Sequence, residues 1–138
     1  MIVSLVAIQF VPVQRTNPPA GPEPDAPASV LSILHRACYD CHSATTRWPW
    51  YAHLAPVSWV VTQDVRRARH KLDFTDWPVT DATEQADIGG VIRTQIENGR
   101  MPLARYTFLH PDTRLRDTDR AALLEWARNL ERRGLRVP

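Results

Sequence analysis

The chain has 138 residues, 43% of them apolar and 23% charged, a balance that suits one folded domain able to bury a core and a modest prosthetic group. Its 17 basic residues are offset by 15 acidic ones, leaving a formal charge of +2 without a long Lys/Arg tract. Nucleic acid is therefore not an expected partner.

Read from the N-terminus, Met1–Val13 is an apolar run with no charged residue. It is shorter than the roughly 20 residues a membrane-spanning helix needs and lacks the basic start of a complete signal peptide. We expect it to be part of an export signal or membrane anchor, the other reading being a buried first strand or helix. Residues 14–28 are so rich in proline that neither helix nor strand can persist through them, and a stiff tether is expected, with the domain proper spanning 29–138. Ser29 is a candidate N-cap for a helix whose apolar residues Val30, Leu31, Ile33, Leu34 and Ala37 recur at helical spacing. That helix is expected to deliver Cys38, Cys41 and His42 at its C-terminal end.

Pro49 and Pro56 predict an irregular wrap after the cysteines. A second helix is expected over Val57–Leu72, with Val57, Val60, Val61, Val65, Ala68 and Leu72 on one face. Arg66, Arg67, Arg69, His70 and Lys71 gather opposite, as a solvated face or a docking surface for an acidic partner. Asp81 and Glu84 form a D-x-x-E capping pattern that opens a third helix running to Gly99. Gly89 and Gly90 inside it suggest close approach of another backbone or of a flat ligand. Asp117 is a candidate N-cap for a last helix carrying Leu123, Trp126, Ala127 and Leu130 and ending at Gly134. No segment alternates like a strand, so the expected class is all-α, about four helices with long connections.

Both cysteines lie in "CYDCH", with His42 directly behind the second. A disulfide oxidoreductase would carry such a pair at a helix start within a strand-and-helix fold. Structural zinc needs four ligands, commonly two such pairs. Covalent haem uses every part of the motif: two thiols spaced for the two vinyl groups, and an imidazole placed to bind iron. The best source of a sixth ligand is Met101, held in "GRMP" by Pro102; otherwise it is a buried core methionine. His110, His53 and His70 compete with it, whereas His35 is expected at the surface or behind the site. Trp48, Trp50, Trp59 and Trp77 follow the motif closely, as an aromatic core or as the wall of a flat-ligand pocket.

The stretches "CYDCHSATTRWPWYAHLAPVSWVVTQDVRRARHKLDFTDW" and "IENGRMPLARYTFLHPDTRL" resemble the haem-binding domain family of small bacterial, membrane-anchored, monohaem c-type cytochromes. The resemblance implies a cytochrome-c-like helical fold around one covalently attached haem c, thioethers at Cys38 and Cys41, His42 as proximal ligand and Met101 in the distal position. It also implies a periplasmic domain tethered to the inner membrane through the N-terminal segment, with redox proteins as partners. A proline carbonyl, Pro56 before Pro49, is the expected partner of the second His42 ring nitrogen. Arg47, Arg105, Tyr106 and Trp59 are candidates to hold propionates, and Trp48, Trp50 and Trp59 to line the pocket. His/Met ligation would leave no open iron position, hence single-electron transfer and no enzymatic chemistry. A haem enzyme or sensor, peroxidase-like or gas-binding with a labile or absent Met ligand, is the alternative; a haem-free interaction domain with structural cysteines is the third reading.

Overall fold

The computed structural model describes residues 2–136. They are 63% helical with no strand among them, and they form seven α-helices joined by loops and three 3-10 turns. Helix α1 (Ile2–Ala7) runs into the 3-10 turn Ile8–Phe10, and an extended segment leads to α2 (Ala28–Ala37) and the short α3 (Tyr39–His42). A 3-10 turn, Trp50–His53, precedes α4 (Val57–Lys71); α5 (Ala82–Glu97) and α6 (Ala104–Leu109) follow, then the 3-10 turn Pro111–Thr113 and α7 (Asp117–Gly134). The four expected helices are thus all present, as α2, α4, α5 and α7.

Helices α4 and α5 end at Lys71 and Glu97, one and two residues short of expectation, and the ends of α2 and α7 differ more. Helix α2 begins one residue before Ser29, with Pro27 at the N-cap and no side-chain cap, because the proline itself sets the entry geometry. It stops at Ala37: Cys38, at φ −124°, breaks the helix, and Cys41 and His42 ride on the separate turn α3. For α7 the N-cap is Arg116 rather than Asp117, since the Asp119 carboxylate accepts the Arg116 backbone N–H at 3.0 Å. At α5 the Asp81 carboxylate accepts the Glu84 N–H at 2.8 Å, as the sequence pattern predicts.

Helices α5 and α7 pack antiparallel and very closely. A Cβ on Gly89 would lie 2.7 Å from the Ala127 carbonyl oxygen and 2.9 Å from Leu130 Cβ, which identifies the neighbour of this glycine as a helix backbone, not a flat ligand. Ion pairs from Arg93 to Glu131 (3.0 Å) and Arg128 to Glu97 (3.3 Å) tie the same two helices along their outer edge. The core lies between this pair and α2, from Val30, Ile33 and Leu34 across to Ile92, Ile96, Leu123 and Leu130. An aromatic file crosses it: Tyr39 to Phe74 at 5.7 Å, Phe74 to Trp77 at 6.2 Å, and Trp77 to Trp126 at 5.8 Å. Trp77 therefore belongs to the core.

Up to Pro27 the proline-rich segment is free of helix, as its composition predicts, and it lies strapped along the domain. Gly21 donates its N–H to Thr75 O (2.7 Å), Trp77 donates to Pro22 O (3.1 Å), and Pro24 is buried. The Arg69 guanidinium holds the strap from the other side, donating to Thr16 O (2.7 Å) and Asn17 Oδ1 (3.0 Å) while also bonding Ser43 O and Thr46 Oγ1 (both 2.7 Å). Arg69 is thus not part of the solvated face on which Arg66 and Arg67 stand exposed.

Candidate functional site

Turn α3 is built by its own backbone. The Cys38 N–H continues α2 by donating to Leu34 O (2.8 Å), and Cys38 O then accepts from both Cys41 N (3.1 Å) and His42 N (2.9 Å). One turn therefore presents two side chains of the motif together. The Ser43 hydroxyl closes it on Tyr39 O at 2.7 Å, and the Phe74 N–H donates to His42 O at 2.8 Å. Both cysteines are free. Burial, reinforced by the Cys41 charge, pushes the Cys38 thiol up to about 12, and burial with the charges of Asp40 and Asp64 pushes Cys41 up to about 11. Neither is the low-pKa thiolate that a disulfide-exchange site requires. No group of three or more His, Cys, Asp or Glu able to hold a metal ion occurs among the described residues, so a four-donor zinc site has no counterpart.

His42 is held by α4's C-terminus. Its Nδ1 donates to Leu72 O at 2.9 Å, and the ring meets Phe74 edge-on at 6.1 Å. Leu72 therefore takes the place anticipated for Pro56, whose part is to cap α4. Helix α4 ends just where a free carbonyl is needed, because the last C=O groups of any helix lack intrahelical partners. Burial pushes the His42 pKa down, so the ring is neutral near pH 7; with Nδ1 carrying the proton, Nε2 keeps its lone pair.

Beside Cys41 lies a cavity of about 140 Å³. Val57, Val60, Val61 and Val65 of α4 form one wall, Leu103, Tyr106 and Leu109 another, and Thr46, Pro49 and Tyr51 close it near turn α3. Its polar members are paired. Asp40 accepts from Arg47 (3.2 Å) and from the Tyr106 hydroxyl (2.8 Å), Arg105 reaches Asp64 (2.7 Å), and Tyr51 Oη bonds His110 Nε2 (2.7 Å). Tyr106 stacks on His110 at 4.6 Å. Burial and then the bond to Asp40 raise the Tyr106 pKa, which keeps its hydroxyl a donor.

Of the residues singled out from the sequence, the fold brings Cys41, Arg47, Arg105, Tyr106 and His110 to one cavity. Cys38 packs instead against the core. Met101 is half-buried two residues ahead of Leu103 and does not line the wall. Trp48 and Trp59 are also off the wall, half-buried, each with its indole N–H enclosed and without an acceptor. Trp50 is 76% exposed and is not a pocket wall; it touches Tyr51 edge-on at 5.8 Å. His53, His70 and His35 are exposed.

Tyr51, expected with the tryptophans around the site, does line the cavity, whereas Asp40, Asp64 and the Leu72 carbonyl were missed. Asp64 had a signal, since it falls at helical spacing within the valine face of α4, and Asp40 lies between the cysteines. The Leu72 carbonyl had none, because a backbone acceptor leaves no mark on residue identity.

Comparison with curated proteins and with solved structures gave no significant match. The family described as haem-binding domain matches residues 3–129, a span that takes in the strap, turn α3, the cavity and most of α7. An apolar cavity lined by the Cys41 thiol with cationic groups at its rim, and Cys38 and a neutral His42 imidazole off its wall but on the same short segment, fit the group that this family is named for, and the chain belongs to the haem-binding domain family.

Proposed function

We propose that this protein is a monohaem c-type cytochrome that carries single electrons in the periplasm. The observation that carries the reading is the His42 bond to Leu72 O: it fixes both tautomer and ring orientation, which is how an axial imidazole is held. Cys38 and Cys41 would hold haem c through thioethers, and His42 would bind its iron through Nε2. A haem iron held by two axial ligands takes up and returns one electron without bond chemistry.

The chain's other residues set the surroundings. The α4 valines give the cavity an apolar wall, which favours the less charged reduced state. Arg47 and Arg105 would turn from Asp40 and Asp64 to ligand carboxylates, exchanging one charge-assisted pair for another. The cavity is smaller than the roughly 300 Å³ at which pockets for sizeable ligands begin, so loading requires Tyr51, Tyr106 and the rim to move outward.

Met101 is the proposed distal ligand. A second reading is favoured by one observation: His110 lies on the cavity wall and Met101 does not. Distal His110, or a distal position left open as in a haem sensor or peroxidase-like module, follows from it. The experiment is the spectrum of protein made with a c-type haem maturation system. Haem colour surviving denaturation, and lost in Cys38→Ala/Cys41→Ala, is expected; its removal by denaturation would sink the thioether assignment. The oxidised form should show the weak near-infrared Met-to-iron band, and Met101→Ala should abolish it and make the iron high-spin. An unchanged Met101→Ala spectrum with a changed His110→Ala spectrum would move ligation to His110, and rapid cyanide binding by the native protein would favour the open-site reading.

A further inference from the structure

The N-terminal segment and the stretch from the 3-10 turn Trp50–His53 to the start of α4 expose apolar side chains on adjoining parts of the surface. Val3, Leu5, Val6, Phe10 and Val11 are exposed, Val3 and Phe10 to 81%. Helix α1 packs against no other helix among the described residues, so this surface gains nothing from the core. Its end is nevertheless pinned to the domain. Gln9 Oε1 accepts the Ala55 N–H at 3.0 Å, and Gln9 Nε2 donates to Ala55 O at 3.1 Å. Ala55 stands between Leu54, 50% exposed, and Val57, 45% exposed, just past Trp50, 76% exposed.

Charge decides what could cover this face. No Asp or Glu occurs from Ala44 to Gln63, and none precedes Glu23 in the chain. Arg15 lies alongside, donating to Ala52 O at 3.2 Å with part of its side chain in solvent. Apolar side chains without carboxylates, an exposed indole and a neighbouring guanidinium match the boundary of an anionic bilayer: aliphatic groups enter the acyl region, tryptophan prefers the headgroup level, and arginine meets phosphate.

We propose that α1, Phe10, Trp50, Leu54 and Val57 form one bilayer-contact face, so that the domain lies against the membrane in a fixed orientation set by the Gln9 clamp. An anchoring role for the N-terminal run alone would leave the domain free to tumble; here the two Gln9–Ala55 bonds join the run to the domain surface. Val57 also lines the cavity, whereas α1, Phe10, Trp50 and Leu54 do not.

The test uses the haem-loaded full chain with phosphatidylcholine–phosphatidylglycerol vesicles, reading flotation and peptide-level amide exchange. The chain should float with the vesicles, and amides over Trp50–Val57 should exchange several-fold more slowly, while those around Thr83 and Asp87 on α5 stay unchanged. Gln9→Ala should still float but lose the protection over Trp50–Val57. Trp50→Ser/Leu54→Ser should weaken partitioning about tenfold, equivalent to ~1.4 kcal/mol, without changing the melting temperature, since both side chains are exposed. The proposal is overturned by absence of flotation, by protection confined to α1, or by protection over Trp50–Val57 that arises without vesicles as the chain self-associates, which would make the face an interface between copies.

Discussion

Asp119 is a tightly held charge outside the cavity. It is buried at the start of α7, where it accepts the Arg116 N–H and guanidinium and, at 2.6 Å, the guanidinium of Arg36 from α2. These bonds, Arg116's first, hold its carboxyl down to about 2 from an ordinary 3.8. The folded state thus binds this proton more weakly than the unfolded chain does. The stabilisation is complete above about pH 4 and is lost as pH falls toward 2. Asp119→Asn should cost about 1–3 kcal/mol at pH 7, from the hydrogen bonds to charged donors it weakens, and urea melts at decreasing pH should show the gap to wild type closing near pH 2. A gap that stays constant from pH 7 to pH 2 would mean that the charge contributes nothing. The sequence offers Asp117 as the helix-start residue; the structure gives that part to Asp119, whose carboxylate meets both the Arg116 N–H and the guanidinium of Arg36 from another helix.

At the scale of elements, periodicity located the four long helices because each buries one face against the others, and burial is what spaces apolar residues at three and four. It could not locate the break at Cys38, which comes from backbone geometry rather than composition. Nor could it tell Gly89 from Gly90. Both lower helix propensity equally in the sequence, yet a Cβ at Gly89 would strike the α7 backbone while one at Gly90 would meet only the flexible Glu131 carboxylate at 3.2 Å. Gly89→Ala should therefore destabilise by about 1–3 kcal/mol through overpacking. Gly90→Ala should be neutral or gain up to about 1 kcal/mol of helix propensity. Thermal melts of the two variants check this, and equal effects would show that α5 and α7 can shift apart at little cost. The α4 valines illustrate the opposite case: their spacing was legible, but not that they face a cavity instead of the core.

For the whole molecule, the strap joins parts of the chain far apart in sequence. Arg69 bonds Thr16 and Asn17 on one side and Ser43 and Thr46 on the other, linking the N-terminal segment to the loop that follows His42. Arg69→Met should free the strap, and trypsin should then cut after Arg15 several-fold faster than in the native chain; an unaltered cleavage rate would show that the other strap bonds suffice. The sequence by itself determined the helical class, the four principal helices, the thiol and imidazole groups of one short motif, and an apolar, uncharged N-terminus, because these depend on side-chain identity and spacing along one strand of chain. Only the tertiary structure decided that Leu72 O orients His42, that Arg47, Arg105, Tyr106 and His110 meet at one cavity, that Trp50 faces solvent while Trp77 is core, and that Gln9 seats α1 beside Leu54. Each of those rests on a backbone acceptor or on contacts between residues remote in sequence, which are settled by how the helices pack and leave no periodic trace in the order of residues.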